Sequence, residues 1–227
     1  MRRSNSLPRN KITDRVNILR NYIRGKTVLH IGCTDSPETK EKIENHSLLH
    51  YDLVEVAKNV SGIDIDEESI KIMRNNGIDD VYCEDIYKLN ENKFINENKF
   101  DYIIFSEVIE HLPNAGLALE ILHKFIANTN KETILIITAP NIHNFFFRII
   151  EMLKNKESVH PDHYCYYSYS TLSKLLRDSG FAIIDSKYVL YRKKSIIYKP
   201  FLGIMNLFTS SFMPYILFKC KIKQTKI

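Results

Sequence analysis

The 227-residue sequence has no tryptophan, only 7 glycines, and 4 cysteines that stand far apart. Each shortage excludes something. Cys33, Cys83, Cys165 and Cys220 form no C-x-x-C pair, which argues against a structural zinc site or a dithiol redox motif. Their isolation suits reduced thiols in a cytosolic protein. The few glycines form neither a G-x-x-x-x-G-K-[ST] nor a G-x-G-x-x-G run, so no loop is built to cradle a triphosphate or a dinucleotide pyrophosphate. Arg2 and Arg3 are followed by Ser, Asn, Pro and Lys rather than by the apolar stretch of a signal peptide, and secretion by that route is not expected. Acids are missing from the C-terminal end. Of the net +5, residues 1–185 carry −4 and residues 186–227, which hold no Asp or Glu, carry +9. The protein is a mildly acidic body with a basic tail.

What is present is ordinary for a globular chain: 44% hydrophobic and 26% charged residues exclude disordered and collagen-like classes. The length suits one large domain or two small ones. Helical spacing of Val16, Leu19 and Ile23 predicts a helix over 13–24, stopped by Gly25. Short apolar runs at 27–32, 60–66, 81–85, 101–106 and 133–138 alternate with helical stretches around 48–58, 67–77 and, after Pro113, up to 128. Strands apolar throughout, alternating with helices, predict a doubly wound α/β fold around a mostly parallel sheet buried on both faces. A further helix at 169–180, a strand at 181–190 and an alternating strand at 215–223 complete the pattern, with a long stretch at 191–214 between the last two.

In open α/β sheets ligands bind beyond the carboxyl ends of the strands. There the sequence places Gly32-Cys33-Thr34-Asp35, Asp64-Ile65-Asp66, Glu84-Asp85-Ile86, Ser106-Glu107 and Ala139-Pro140-Asn141. A glycine after the first strand admits a ligand close to the backbone. An acid after the second is placed for two ribose hydroxyls, and a carboxylate after the third for an adenine amino group. The set describes a nucleoside site without phosphates, for which S-adenosylmethionine is the common ligand. Asp64 and Asp85 also suit helix N-caps, and His30 a packed core position.

These segments carry a resemblance. VLHIGCTDS (28–36), SGIDID (61–66), CEDIYKL (83–89), FDYIIFSEVIEHLPN (100–114) and ILIITAPN (134–141) resemble, in order, the motifs of class I S-adenosylmethionine-dependent methyltransferases. HPDHYCYYSYSTLSKLLRDSGF (160–181) is similar to the segment that follows in the branch of ubiquinone-biosynthesis-like and surface-polysaccharide-associated enzymes. The resemblance implies a seven-stranded sheet with an antiparallel last strand, and a core over 26–190. An N-terminal arm and helix (1–25) would precede it, with an apolar and basic insert (191–214) and a final strand and tail (215–227) behind it.

It further implies S-adenosylmethionine as cofactor, bound by Gly32, Cys33, Thr34, Asp64, Ile65, Asp85, Ile86 and Ser106. The acceptor side would hold Glu107, His160, His163, Tyr164 and Tyr167, with His111 first and Glu110 second as the catalytic base for a hydroxyl acceptor. The expected acceptor is a small molecule, a sugar or a lipid-linked glycan, methylated on oxygen. His160-x-x-His163 beside Asp162 has the look of a metal motif, yet the resemblance implies no metal. Two positions depart from the family pattern. His30 stands where an acid is usual and Thr34 where a second glycine is usual; a nearby carboxylate, Asp35, is a substitute for the acid. These departures keep open an alternative, a degenerate fold acting as a peripheral membrane or partner-binding module.

The uncharged run from Pro200 to Phe218, behind Arg192, Lys193 and Lys194, reads as an insert that lies on an anionic membrane surface or covers the domain or a dimer partner. A cytoplasmic enzyme, free or on the inner face of the membrane, is expected, without nucleic acid as a partner. The oligomeric state is open.

Overall fold

The computed structural model describes residues 7–8, 13–92, 95, 97–157, 160–190 and 210–223. In chain order it contains β1 (Thr13–Asp14), α1 (Arg15–Ile23), β2 (Thr27–Ile31), α2 (Thr39–Glu44), α3 (Leu49–Val54), β3 (Asn59–Asp64), α4 (Glu67–Asn75) and β4 (Val81–Cys83). These are followed by β5 (Tyr102–Ser106), α5 (Ala115–Thr129), β6 (Ile134–Pro140), α6 (Phe145–Lys154), α7 (Tyr169–Asp178), β7 (Phe181–Leu190) and β8 (Tyr215–Ile222).

The strands form one sheet in the order β1-β7-β8-β6-β5-β2-β3-β4. All neighbours are parallel except β8, which runs antiparallel between β6 and β7. The eighth strand, one more than the sequence predicts, is β1. Its two residues pair with Val189 and Leu190 at the start of the stretch expected to be helical, and Asp14 then caps α1 by accepting from Asn17 N at 3.1 Å.

The apolar strands are explained by two covered faces. Along β5, Ile103 and Phe105 pack with α5 and α7, whereas Ile104 packs on the opposite side with α1 and α3. Helix starts follow local chemistry: Asp66 caps α4, Asn114 caps α5, and Ser168 with Thr171 makes a capping box on α7. The polar loop after Gly32 holds the short α2. Of the predicted insert, residues 191–209 lie outside the described residues. Its end is described: Asn141 Nδ2 donates to the carbonyls of Ser211 (2.7 Å) and Met213 (2.8 Å).

From β2 the chain winds outward through β3 to β4, then returns to place β5 on the other side of β2 and continues to β6. The reversal opens a crevice between the carboxyl ends of β2 and β5, where ligands collect in such sheets.

One buried polar pair lies beneath it. His30 in β2 and His50 in α3 are both almost fully buried, with their Nδ1 atoms 3.2 Å apart. One ring donates to the other, and burial disfavours a charge on either. Burial holds His50 down at about 4; burial, His50 and Arg15 together hold His30 well below the usual histidine range. An unfolded chain takes up protons at these sites below about pH 6.5 while the folded one does not. Stability is therefore full above that pH and is lost as pH falls toward 4. Urea denaturation from pH 7 to 4 is expected to show this decline, and the variant His50→Asn a shallower one. Equal slopes would remove the pair from the acid response.

Candidate active site

The crevice opens into a cavity of about 740 Å³ lined by the ends of β2, β3, β5 and β6, by the loops after β3 and β4, and by His160, Asp162 and His163. Its size lies within the range of small-molecule sites. Gly32, with φ +75°, begins the loop after β2; a Cβ there would come within 2.2 Å of Val108 Cγ2. The two strand ends that frame the cavity can meet only because this position has no side chain.

Asp64 closes β3 on the cavity wall. Its Oδ2 accepts from Thr34 N (3.2 Å) and Thr34 Oγ1 (2.8 Å), and its Oδ1 accepts from Asp66 N (3.1 Å). A carboxylate offers about four lone-pair sites, so Asp64 keeps capacity for a ligand. Asp66 does not, because it accepts from Ser36 Oγ, Ser69 Oγ, Glu68 N and Ser69 N. Helix capping thus falls to Asp66. Farther along, Asp85 accepts from Tyr87 N at 2.9 Å and caps a 3-10 turn while lining the cavity beside Ile86. Thr34, the residue in the place of a glycine, is fully buried and orients Asp64. His30, in the place of an acid, packs on His50 and is not among the cavity residues. Asp35 does line the cavity, paired with Lys42 at 3.5 Å.

At the end of β5 four side chains close a ring. Arg15 Nη1 donates to Ser106 Oγ at 3.0 Å, the Ser106 and Thr138 hydroxyls meet at 2.7 Å, and Thr138 Oγ1 donates to Glu107 Oε1 at 2.7 Å. Glu107 Oε1 closes the ring on Arg15 Nη1 at 3.1 Å. With the Thr138 proton given to the carboxylate, Ser106 must donate to Thr138. Glu107 adopts φ +57°, a left-handed backbone that costs a non-glycine residue roughly 1–2 kcal/mol and turns its carboxyl toward the ring. Burial outweighs the guanidinium and raises the Glu107 carboxyl. Next to it, Glu110 is almost fully buried, and burial followed by the charge of Glu107 pushes it well above the ordinary carboxyl range.

His111 ends the 3-10 turn Ile109–His111. It meets the edge of His163 at 4.5 Å and of His160 at 5.5 Å between ring centres. Burial, then His160, lowers His111; burial, then the two other histidines, lowers His163 to about 4. The sequence assigns no metal here, yet the fold brings one ring nitrogen of each histidine to within 4.8 Å of the others.

Among the predicted residues, Gly32, Thr34, Asp64, Ile65, Asp85, Ile86, Ser106, Glu107, Glu110, His111, His160 and His163 all line the one cavity. Three are placed elsewhere. The Cys33 side chain is buried with Met73 and Val81 behind the loop. Tyr167 is packed in the core, and Tyr164 is 67% exposed. Neither tyrosine is among the cavity residues, which instead include Tyr87 and Tyr215. Arg15 is the cavity residue that the sequence conceals: it stands in no motif, and only its helical register is legible.

A sequence model of the family described as "Methyltransferase domain" matches residues 9–186. No curated protein matches the chain. Among solved structures, an S-adenosylmethionine-dependent methyltransferase from Archaeoglobus fulgidus is 17% identical with a TM-score of 0.56, covering 91% of this chain and 92% of its own. The putative methyltransferase in complex with the Haloferax volcanii Trm112 activator is 11% identical with a TM-score of 0.59, covering 92% and 88%. Magnesium protoporphyrin IX methyltransferase from Synechocystis, with bound S-adenosylhomocysteine, is 14% identical with a TM-score of 0.54, covering 92% and 81%. At these identities the likeness is one of fold.

The ring at β5 yields a double-mutant test. Arg15→Met leaves the Glu107 carboxyl without its cation and is expected to cost about 3–5 kcal/mol of stability by urea denaturation. Adding Glu107→Gln should recover part of that loss. Strictly additive effects would show that the two side chains do not support each other.

Proposed function

This chain belongs to the methyltransferase-domain family, and from that premise we propose that it methylates an oxygen of a small-molecule, sugar or lipid-linked glycan acceptor. It is an S-adenosylmethionine-dependent enzyme. We assign it to the branch of ubiquinone-biosynthesis-like and surface-polysaccharide-associated methyltransferases on the sequence of residues 160–181. The observation that carries the reading is the set of strand-end residues gathered on one cavity: a glycine, two acids with spare acceptor capacity, and an acceptor-side group of carboxyls and imidazoles.

The chain's residues fit the donor. Asp64 has about one acceptor site left for a ribose hydroxyl, with Ile65 alongside. Asp85 and Ile86 suit the adenine. Gly32 and Thr34 flank the methionine end, and Ser106, its own proton given to Thr138, presents a fixed floor beneath it. When bound, S-adenosylmethionine would supply a methyl group activated on a sulfonium, whose C–S electron pair would remain on sulfur as the methyl is transferred to oxygen. The protein's work is then alignment and exclusion of water. The acceptor proton must leave, and a placed base is worth about 10²–10⁴-fold. His111, held neutral by burial, accepts that proton. Glu110 follows, its carboxyl pushed well above the ordinary range by burial and then by the charge of Glu107. The two departures that favour a degenerate module each have a structural role: Thr34 holds Asp64, and His30 pairs with His50.

Among the described residues no helix is long and apolar enough to cross a membrane. A peripheral contact through 191–214 rests on sequence alone. Flotation with anionic vesicles, lost at high salt, is its expected mark; recovery that does not depend on lipid charge would overturn it.

The donor site is tested by calorimetry with S-adenosylhomocysteine. The wild type should bind, and Asp64→Ala should weaken binding by about 10–100-fold, as loss of charge-assisted hydrogen bonds implies. No binding by the wild type would overturn the methyltransferase reading. Unchanged binding by the variant would remove Asp64 from the ribose.

A further inference from the structure

We propose that His111, His160 and His163 form a binding site for one divalent transition-metal ion at the acceptor side of the cavity. The inference rests on reading that side as the acceptor side, and deepens it. Each imidazole offers one nitrogen, and the three lie within 4.8 Å of one another. Ligands about 2.0–2.1 Å from a tetrahedral ion sit roughly 3.3 Å apart, so modest side-chain movement closes the set.

Two segments distant in sequence are tied together to make it. His111 ends the turn after β5. The loop holding the other two is a tight turn of its own, with His163 N donating to His160 O at 3.0 Å, and Tyr164 N donates to Glu110 O at 2.8 Å. That bond fixes the loop against the residue preceding His111. Within the cluster, His163 Nδ1 is buried and has no hydrogen-bond partner among the described residues. His160 Nδ1 accepts from Asp162 N at 3.3 Å, and the Asp162 carboxylate lies 3.9 Å from the same nitrogen, so the ring is held in place beside the other two.

The donor set selects the ion. Imidazole nitrogen suits Zn²⁺, Co²⁺, Ni²⁺ or Fe²⁺, whereas Mg²⁺ and Ca²⁺ take oxygen ligands. Three protein ligands facing a cavity leave a fourth position open, as in catalytic rather than structural sites. A hydroxyl of the acceptor would fill it. The cation lowers the hydroxyl's pKa, the O–H bond breaks with the proton passing to solvent, and the oxygen keeps the electron pair that attacks the methyl carbon. In that state the His111 lone pair belongs to the ion, and the ion replaces His111 as the agent of deprotonation.

The test uses the full chain freed of metal with a chelator, then titrated with Co²⁺ alone and with Zn²⁺ alone by calorimetry, the Co²⁺ form also by visible absorption. One equivalent should bind, millimolar Mg²⁺ should not displace it, and His160→Ala and His163→Ala should each weaken binding at least about tenfold. Both variants should still bind S-adenosylhomocysteine as the wild type does, which shows that they fold. No stoichiometric binding by the wild type, or equal binding by folded variants, overturns the site. Failure of S-adenosylhomocysteine to bind the wild type would instead strike the methyltransferase reading and leave the metal result standing by itself.

Discussion

The guanidinium of Arg15 is buried where the ends of two parallel strands would otherwise repel or splay. Ser106 and Glu107 close β5, and Thr138 lies opposite Ser106 on β6. Their hydroxyls and carboxyl satisfy one another only in a single sense around the ring, and only with a cation at its head. Removing a charge from such a buried set leaves its partner unpaired in low dielectric, which costs more than the pair contributes. The closure reaches beyond β5 itself. It sets the turn through Glu107, and that turn carries Glu110 and His111 into the cavity. It also draws the first residue of α1 to the cavity wall, while the rest of the helix covers one face of the sheet.

A second constraint works at the end of β3. Asp64 faces the cavity with about one acceptor site unused, whereas a lone carboxylate at a strand end would swing to cap the next helix. Asp66 takes that capping duty, and the Thr34 hydroxyl fixes the remaining rotation of Asp64. A glycine at position 34 would supply only a backbone donor. The same reasoning accounts for His30, whose polar ring in mid-strand is tolerated because His50 reaches it from α3.

Most of this frame was legible in the sequence. Uninterrupted β-branched runs between amphipathic stretches can be little other than a parallel sheet covered on both faces, and β7 begins and ends where the pattern changes. The strand-end acids were legible because topology alone puts them on one side. The misplacements have physical causes. β1 is two residues long, too short to show a period, and exists only because β7 offers an edge. Cys33 lies next to a ligand-facing glycine, but Gly62 leaves a space of Cys33's size behind the loop: a Cβ on Gly62 would come within 2.8 Å of its sulfur. Tyr167 belongs to an aromatic-rich run whose alternation sends one ring into the core and leaves Tyr164 outside. Arg15 was invisible because a buried arginine on a surface-type helix is decided by its partners, which lie 91 and 92 positions away.

The histidine cluster shows the same limit from the other direction. In the sequence, His160 and His163 are a spacing and His111 is a helix-start residue, and neither alone has enough ligands for an ion. They become three ligands because the backbone of Tyr164 bonds to that of Glu110, a contact that no local pattern encodes. This side of the cavity is assembled in the same way, from the turn after β5, the loop at 160–164 and the residues around Asn141 and Tyr215 beside β6. The turn and the loop are irregular by themselves and are joined by the Tyr164–Glu110 backbone bond. The other side of the cavity rests on strand ends whose order the fold dictates. The side built from cross-links is the part in which two chains of one fold can differ without changing the sheet.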